Sequence, residues 1–452
     1  MMPVPSTRTS LLLLGAVLLG VGVLVARQGP SSERRPAPDL RWTGPMEVAS
    51  GPAVKGRWRM NDSDWRFVDD PAVALADDGT AHVVWADHAR QDLFVQAVGP
   101  HGTAQRDSAV NVSRTPGTFS WLPRMAHAPG APDTLYVLWQ EIIFSGGTHG
   151  GDILFARSSD GGRSFSPPRN LSRSRAGAGK GRLTARRWHN GSLDLAVGPR
   201  GTLYAAWTEY EGRLWLRRST DGGRSFSRPV YVAGSNETPA RAPTVAVDPT
   251  GRVHLAWTVG ETPDANIHYA RSDPSGLAVG TPRLVAPGDG HADAPTLAID
   301  SAGTRHLAYS ERPDGLGTPA HVRYTRAPLD STFEMPTALS RRVASDYESA
   351  AFPSLRVGPA GALYVLWELF STAGGRPTAL GVIASPDAGR TFSRPTVLPG
   401  SDTPAHGFNG SQQGLLMEKL DVNAHGALAV VNSTFQPGTT SHIWLYRASP
   451  TP

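Results

Sequence analysis

Ser158-Ser159-Asp160-Gly161-Gly162-Arg163-Ser164-Phe165, Ser219-Thr220-Asp221-Gly222-Gly223-Arg224-Ser225-Phe226 and Ser385-Pro386-Asp387-Ala388-Gly389-Arg390-Thr391-Phe392 are three copies of one phrase, S-x-D-x-G-x-[ST]-F. The phrase has the chemistry of a tight turn. A short Asp carboxylate accepts hydrogen bonds from backbone N–H groups just ahead of it, Gly takes the φ > 0 position, and the closing Phe anchors the turn in apolar packing. Asp160 and Asp221 lie one repeat apart and Asp221 and Asp387 three, so the turns belong to one continuous array.

A second, more regular phrase surrounds the turns. An apolar strand opening with Pro or a small residue turns at Gly and returns as a strand that usually ends in Trp. Its seven copies are Pro71 to Trp85, Pro123 to Trp139, Leu193 to Trp207, Pro243 to Trp257, Pro295 to Tyr309, Pro353 to Trp367, and a degenerate Lys419 to Val431. The period of about 58 residues falls among those of propeller blades. Alternation such as Val83/Trp85 against His82/Val84 is the period-two signature of strands. Call this hairpin strands A and B. A second pair, C and D, follows each hairpin, with the Asp-containing turn or its decayed remnant between them. The seventh copy stops after its C strand, Ile443 to Arg447, but Thr43 to Ala49 matches the D strand Ser227 to Ala233. The expected fold is therefore all-β: a propeller of seven four-stranded antiparallel blades, closed by an N-terminal strand that completes the last blade. Six blades is the main alternative and eight remains open. Closure removes the sheet edges that invite aggregation.

Composition agrees. The chain has 452 residues, with Gly at 49 and Pro at 39 but charged residues at only 18%, which suits many short strands joined by turns. Its net charge of +5 is almost wholly Arg, since Lys55, Lys180 and Lys419 are the only lysines. The basic residues are scattered, and the densest stretch, Arg173 to Arg187, is diluted by Gly, Ala and Leu. This argues against a nucleic-acid partner. With no cysteine, disulfides, thiolate metal sites and thiol nucleophiles are excluded. The histidines form no metal-ligand spacing such as H-E-x-x-H, so neither metal nor cofactor is expected.

At the N-terminus Arg8 precedes an apolar run of 16 residues, Leu11 to Ala26, and a polar stretch with Arg27, Arg34, Arg35, Pro36 and Pro38 follows. Residues 1–27 read as a signal peptide or N-terminal membrane anchor, 28–40 as a Pro-rich linker and 41–450 as the propeller. Either reading of the apolar run implies export, and contact with a membrane only through it.

The S-x-D-x-G-x-[ST]-F phrase resembles the Asp-box, or bacterial neuraminidase repeat, of sialidases and other β-propellers. A sialidase resemblance implies a six-bladed catalytic propeller, an N-terminal [FY]-R-[IL]-P motif, an Arg triad for the sugar carboxylate, a Tyr-Glu nucleophile pair and an Asp acid/base. This chain lacks the motif, and Trp65-Arg66-Phe67 is a poor substitute. By that resemblance Arg66, Arg187, Arg241 and Arg312 are the triad candidates, and Tyr347 with Glu209 or Glu348 the nucleophile pair, although no residue maps by motif.

Connectivity decides where chemistry can sit. A–B and C–D turns share one face of a propeller; B–C loops and D-to-A crossovers share the other. Asp160, Asp221 and Asp387 are accordingly turn-forming. On the crossover face, strand B runs out into Asp87, Glu141, Glu209, Glu311 and Glu368, with Glu211 and Glu261 nearby. Such carboxylates can serve as acid and base at a glycosidic bond if two converge. Equally, they can pair with Arg or cap loops. The crossovers add Trp65, Arg66, Trp121, Arg186, Arg187, Trp188, His189, Arg241, His291, Asp293, Tyr347, Glu348, His406 and Phe408. Aromatic faces beside Arg and carboxylates suit a sugar or acidic ligand. The reading is an exported, monomeric sialidase-like propeller that binds a glycan or other extracytoplasmic ligand on its crossover face. Two alternatives stand beside it: a glycoside hydrolase of exo-sialidase type, or a lyase, using the acids; and a protein-interaction scaffold.

Overall fold

The computed structural model describes residues 40–54, 67–105, 108–145, 148–172, 192–209, 212–260, 265–285, 288, 290–315, 317–340, 346–403, 408–409 and 418–450. Seven antiparallel sheets follow one another along the chain, six of them simple four-stranded meanders. Their innermost strands are Val68–Leu75, Phe119–Ala128, Leu193–Val197, Ala240–Val247, His291–Ile299 and Ser349–Val357. In the seventh blade two short segments, Phe408–Asn409 and Leu420–Val422, both pair with Leu428–Phe435. The fold is a seven-bladed propeller, as the repeat count predicts.

The ring closes where the sequence places the join. Leu40–Pro52 runs antiparallel to Thr440–Pro450, with Met46 opposite Leu445 and Ala49 opposite Ile443, so chain start and chain end share one sheet. Blade contacts are apolar. The strand-B aromatics Trp139, Trp207, Trp257, Trp367 and Tyr309 are essentially inaccessible to solvent. Their recurrence at one repeat position marks them as blade packing.

The Asp turns latch one blade to the next. Asp221 Oδ1 accepts the Ser225 N–H at 2.9 Å and the Ser219 hydroxyl at 2.8 Å, while Oδ2 accepts the Ser225 hydroxyl at 2.6 Å. These bonds, chiefly those from Ser225, hold its carboxyl down at about 2. Asp160 and Asp387 repeat the geometry. Phe226 packs edge-on against Phe155 of the preceding blade at 5.0 Å, and Phe392 against Tyr324 at 4.9 Å.

The inner strand of each blade has a free edge, and buried N–H groups there need acceptors. They come from the neighbouring blade. Thr244 Oγ1 accepts Leu297 N–H at 3.2 Å, Thr296 Oγ1 accepts Leu355 N–H at 3.3 Å, and Ser354 Oγ accepts Lys419 N–H at 3.4 Å. Just upstream, five inner strands carry the same irregularity. Asp70, Leu122, Ala242, Ala294 and Phe352 each precede a proline with φ between 46° and 58°, and the ladder slips at that point. Five such bulges ring the crossover-face end of the axis. A left-handed non-glycine residue costs about 1–3 kcal/mol, so the surrounding structure enforces them.

Candidate functional site

The strand-end acids have local partners. Asp87 caps the Ala89 and Arg90 amides at 3.0 and 3.1 Å. Glu141 is buried and accepts hydrogen bonds from Ser120 at 2.7 Å, Trp139 Nε1 at 2.8 Å and the Thr118 hydroxyl; burial nevertheless lifts its carboxyl above the usual range. Glu209 closes a tight turn through its backbone, which bonds Arg213 and Gly212. Glu311 pairs with Arg323 at 2.6 Å.

Crossover residues are similarly engaged. Arg241 donates to the Gly260 carbonyl at 2.9 Å from Nε. His291 and Arg312 both reach Asp293, at 3.1 and 3.3 Å. Tyr347 is half-buried against the sixth blade, and burial raises its hydroxyl pKa. Arg66, Arg187, Trp188, His189 and His406 lie outside the described residues, as do Trp65, Glu211 and Glu261.

The structure brings other charges together, on the propeller axis. The inner strands align as Pro71-Ala-Val-Ala-Leu75, Pro123-Arg-Met-Ala-His127, Leu193-Asp-Leu-Ala-Val197, Pro243-Thr-Val-Ala-Val247, Pro295-Thr-Leu-Ala-Ile299, Pro353-Ser-Leu-Arg-Val357 and Glu418-Lys-Leu-Asp-Val422. The common pattern is Pro, a small residue, an aliphatic residue, Ala and another aliphatic residue. Eight residues break it: Leu193, in place of Pro, and seven ionisable residues, Arg124, His127, Asp194, Arg356, Glu418, Lys419 and Asp421.

They interlock. Arg124 Nε lies 3.7 Å from Asp194 Oδ1. Arg356 lies 3.1 Å from Glu418 and 3.6 Å from Asp421. Lys419 Nζ is buried, 2.6 Å from Glu368 and 2.8 Å from Asn432 Oδ1. Asp194 and Asp421 keep the inner-edge role, accepting the Val245 and Leu75 amides at 2.6 and 2.8 Å. Beside Lys419 and Glu368, buried Asp69 accepts the Ser433 hydroxyl at 2.6 Å. Asp69, Asp70 and His88 each place one ligand atom within 4.8 Å of the others, and His88 stacks on Phe67 at 4.0 Å.

Two cavities meet this network. A small one of about 40 Å³ lies under the proline bulges, lined by Arg124, Asp194, Phe352, Arg356 and Glu418. A larger chamber of about 490 Å³ occupies the axis toward the A–B turns, and Arg356 and Glu418 line it too. Side chains of Arg356, Glu418 and Asp421 remain 23%, 22% and 25% exposed, whereas Asp194 and Arg124 keep only 6% and 7%.

Burial tunes the acids. It pushes Asp194 up to about 7, reinforced by Glu418 and opposed by Arg124 and two amides. Asp69 rises to about 6, chiefly through burial and against its Ser433 bond. Arg356 moves the other way from what burial alone would do, held more firmly protonated by Glu418, Asp421 and Asp194. The arrangement therefore holds a carboxyl able to give or take a proton at neutral pH beside an Arg-paired carboxylate.

Arg124, Asp194, Arg356 and Asp421 sit on strand A and Glu418 two residues ahead of it, away from the strand-B ends where sequence reasoning seeks acids. The signal was a charged residue where the other blades hold Pro, Thr or Ala.

No protein-family profile matches the chain, and no curated protein matches it in sequence. Among solved structures it is similar to the polysaccharide lyase Uly1, at 12% identity over 84% of this chain and 90% of that one, with a TM-score of 0.52. It is also similar to the GH93 α-L-arabinofuranosidase of Fusarium graminearum in complex with arabinobiose, at 14% identity over 72% and 92% of the chains and TM-score 0.46. A third is the Hadza microbial sialidase Hz136, at 14% identity over 89% and 91% of the chains and TM-score 0.45. At these identities the likeness is one of fold.

Proposed function

We propose that this chain is an exported propeller that binds and cleaves a glycan at the crossover-face mouth of its axis, with Asp194 and Glu418 as the acid–base pair. One observation carries the reading: the repeat is its own control. The first, fourth and fifth blades build the axis with Ala or Thr where the other four hold Arg124, Asp194, Arg356, Lys419 and Asp421. The fold does not need these charges. Burying ion pairs is frequently neutral or worse for stability than apolar replacements, so a cluster gathered where uncharged residues suffice supports chemistry over architecture.

Asp194 suits a proton donor, because burial keeps its carboxyl near neutrality. Glu418, 3.1 Å from a guanidinium, suits the anionic partner that draws a proton from water. Both axial arginines are already paired with carboxylates of this chain, which favours an uncharged sugar over sialic acid. Arg241 and Arg312 are likewise held by Gly260 and Asp293. That a propeller of this shape is a polysaccharide lyase makes carbohydrate chemistry compatible with the architecture, though fold alone does not imply function. The apolar run Leu11 to Ala26 supports an extracytoplasmic setting.

A binding-only reading stands second, favoured by the size of the mouth cavity. About 40 Å³ admits a water, not a sugar ring, so a glycan would rest on the proline bulges. A glycan array combined with reducing-end release by wild type, Asp194→Asn and Glu418→Gln separates the two. Turnover that falls at least a hundredfold in both variants while binding persists is the expected result. Binding without wild-type turnover would leave the lectin-like reading, and neither binding nor turnover would sink both.

A further inference from the structure

The axial chamber on the opposite face lies outside the glycan reading. Its volume of about 490 Å³ is that of a small-molecule site. Seven similar inner strands should line it evenly, yet its wall is divided. On the third to fifth blades it is aliphatic: Leu195, Val197, Val245, Val247, Leu297 and Ile299. Across the axis Val73, Leu75, Val357 and Val422 share the wall with Asp77, Asp78, Glu418 and Asp421, four carboxyl groups against the single guanidinium of Arg356. His127 also lines the chamber, and burial lowers its pKa. The Asp421 carboxyl sits above its usual range because burial outweighs Arg356, so a second cation would improve its surroundings.

We propose that this chamber binds an organic ammonium ion with an aliphatic body, the ammonium against Asp421 and Glu418 and the body against Val247, Leu297 and Ile299. An inorganic cation would leave the aliphatic wall unused. A fatty acid would meet four carboxyl groups. Because Arg356 and Glu418 border both cavities, the bound ammonium competes with Arg356 for Glu418 and so reaches the mouth network.

Calorimetric titration of the full chain with n-hexylammonium, 1-hexanol and hexanoate tests this, with no need for a glycan assay. Hexylammonium should bind at least tenfold more tightly than either analogue, a gap of about 1.4 kcal/mol or more. Asp421→Asn, which can still accept the Leu75 amide, should weaken binding about tenfold. Ile299→Lys, at a part-exposed wall position, places an ammonium in the chamber and should abolish binding; circular dichroism checks that it folds. Equal binding of hexanol, or no binding of hexylammonium to wild type, overturns the proposal.

Discussion

Arg356 Nη2 lies 3.1 Å from Glu418 Oε1, and this pair borders both cavities of the propeller axis. In five other blades the position of Arg356 is Ala, and in five that of Glu418 is Pro. The pair is thus a substitution made in two adjacent inner strands of a scaffold that works without it. Removing one partner strands the other. Arg356→Ala should destabilise by about 2 kcal/mol, less than for a fully buried pair because both side chains are part-exposed. Adding Glu418→Gln and Asp421→Asn should restore most of that loss. Urea unfolding of single and triple variants measures it, and a triple variant no more stable than the single would show that the charges carry structure after all.

Asp194 should give stability a pH dependence of definite sign. Its folded carboxyl titrates near 7 against an ordinary 3.8, so between these values the unfolded chain releases a proton that the folded chain retains. Its contribution is fully present below pH about 4, falls as pH rises toward 7, and is constant above. Asp194→Asn removes this term. Plotted against pH, the Tm of the variant minus that of wild type should climb from pH 4 to 7 and then level off; a flat difference would contradict the buried, proton-holding Asp194.

Buried histidines act in the opposite sense. His254 bonds the Tyr269 hydroxyl through Nδ1 at 2.6 Å and Asp248 through Nε2 at 3.1 Å, yet burial lowers its pKa to about 4. Protonation between 6.5 and 4 is then available only to the unfolded chain, so its stabilising term is lost as pH falls through that window. His306 repeats the arrangement with Tyr324 and Asp300 at 2.8 and 3.3 Å, and its pKa is also lowered by burial. Recurrence in adjacent blades marks both as structural. NMR titration of the folded protein should find the His254 imidazole neutral at pH 5.5, and a charged ring there would refute the assignment.

Closure predicts the effect of truncation. Deleting residues 40–52 exposes the long edge of Thr440–Pro450, whose residues Ile443, Trp444 and Leu445 are buried in the intact blade. Size-exclusion chromatography should show higher oligomers or aggregate. A monodisperse, equally stable truncated monomer would mean that the strand is dispensable.

Turn and site should separate by mutation. Asp221→Ala deletes the carboxylate that ties Ser219 and Ser225, at a cost of about 1 kcal/mol. Gly223→Ala should cost more, since a Cβ there would lie 2.5 Å from the Phe155 ring at φ 79°. Ligand binding at the axis should be unchanged in Asp221→Ala, and a large loss of binding would place the turn in the site.

Blade number, strand order and the N-terminal closure were legible in the sequence because each rests on local periodicity: alternation at two residues, turns of Asp and Gly, and a period that recurs. The strand-B Trp positions were legible as packing for the same reason. The axial network was not. Arg124, Asp194, Arg356 and Glu418 come from four blades distributed along the chain, and Arg124, Asp194 and Arg356 each read as a polar residue in a largely apolar strand. Only closure of the ring stacks those strands round one axis, where side chains from consecutive blades reach the same desolvated space. The proton affinity of Asp194 follows from that desolvation and from Glu418, set by packing far from it in sequence. The sequence by itself therefore determined the scaffold, whose rules are local, and the tertiary structure alone decided which charges meet.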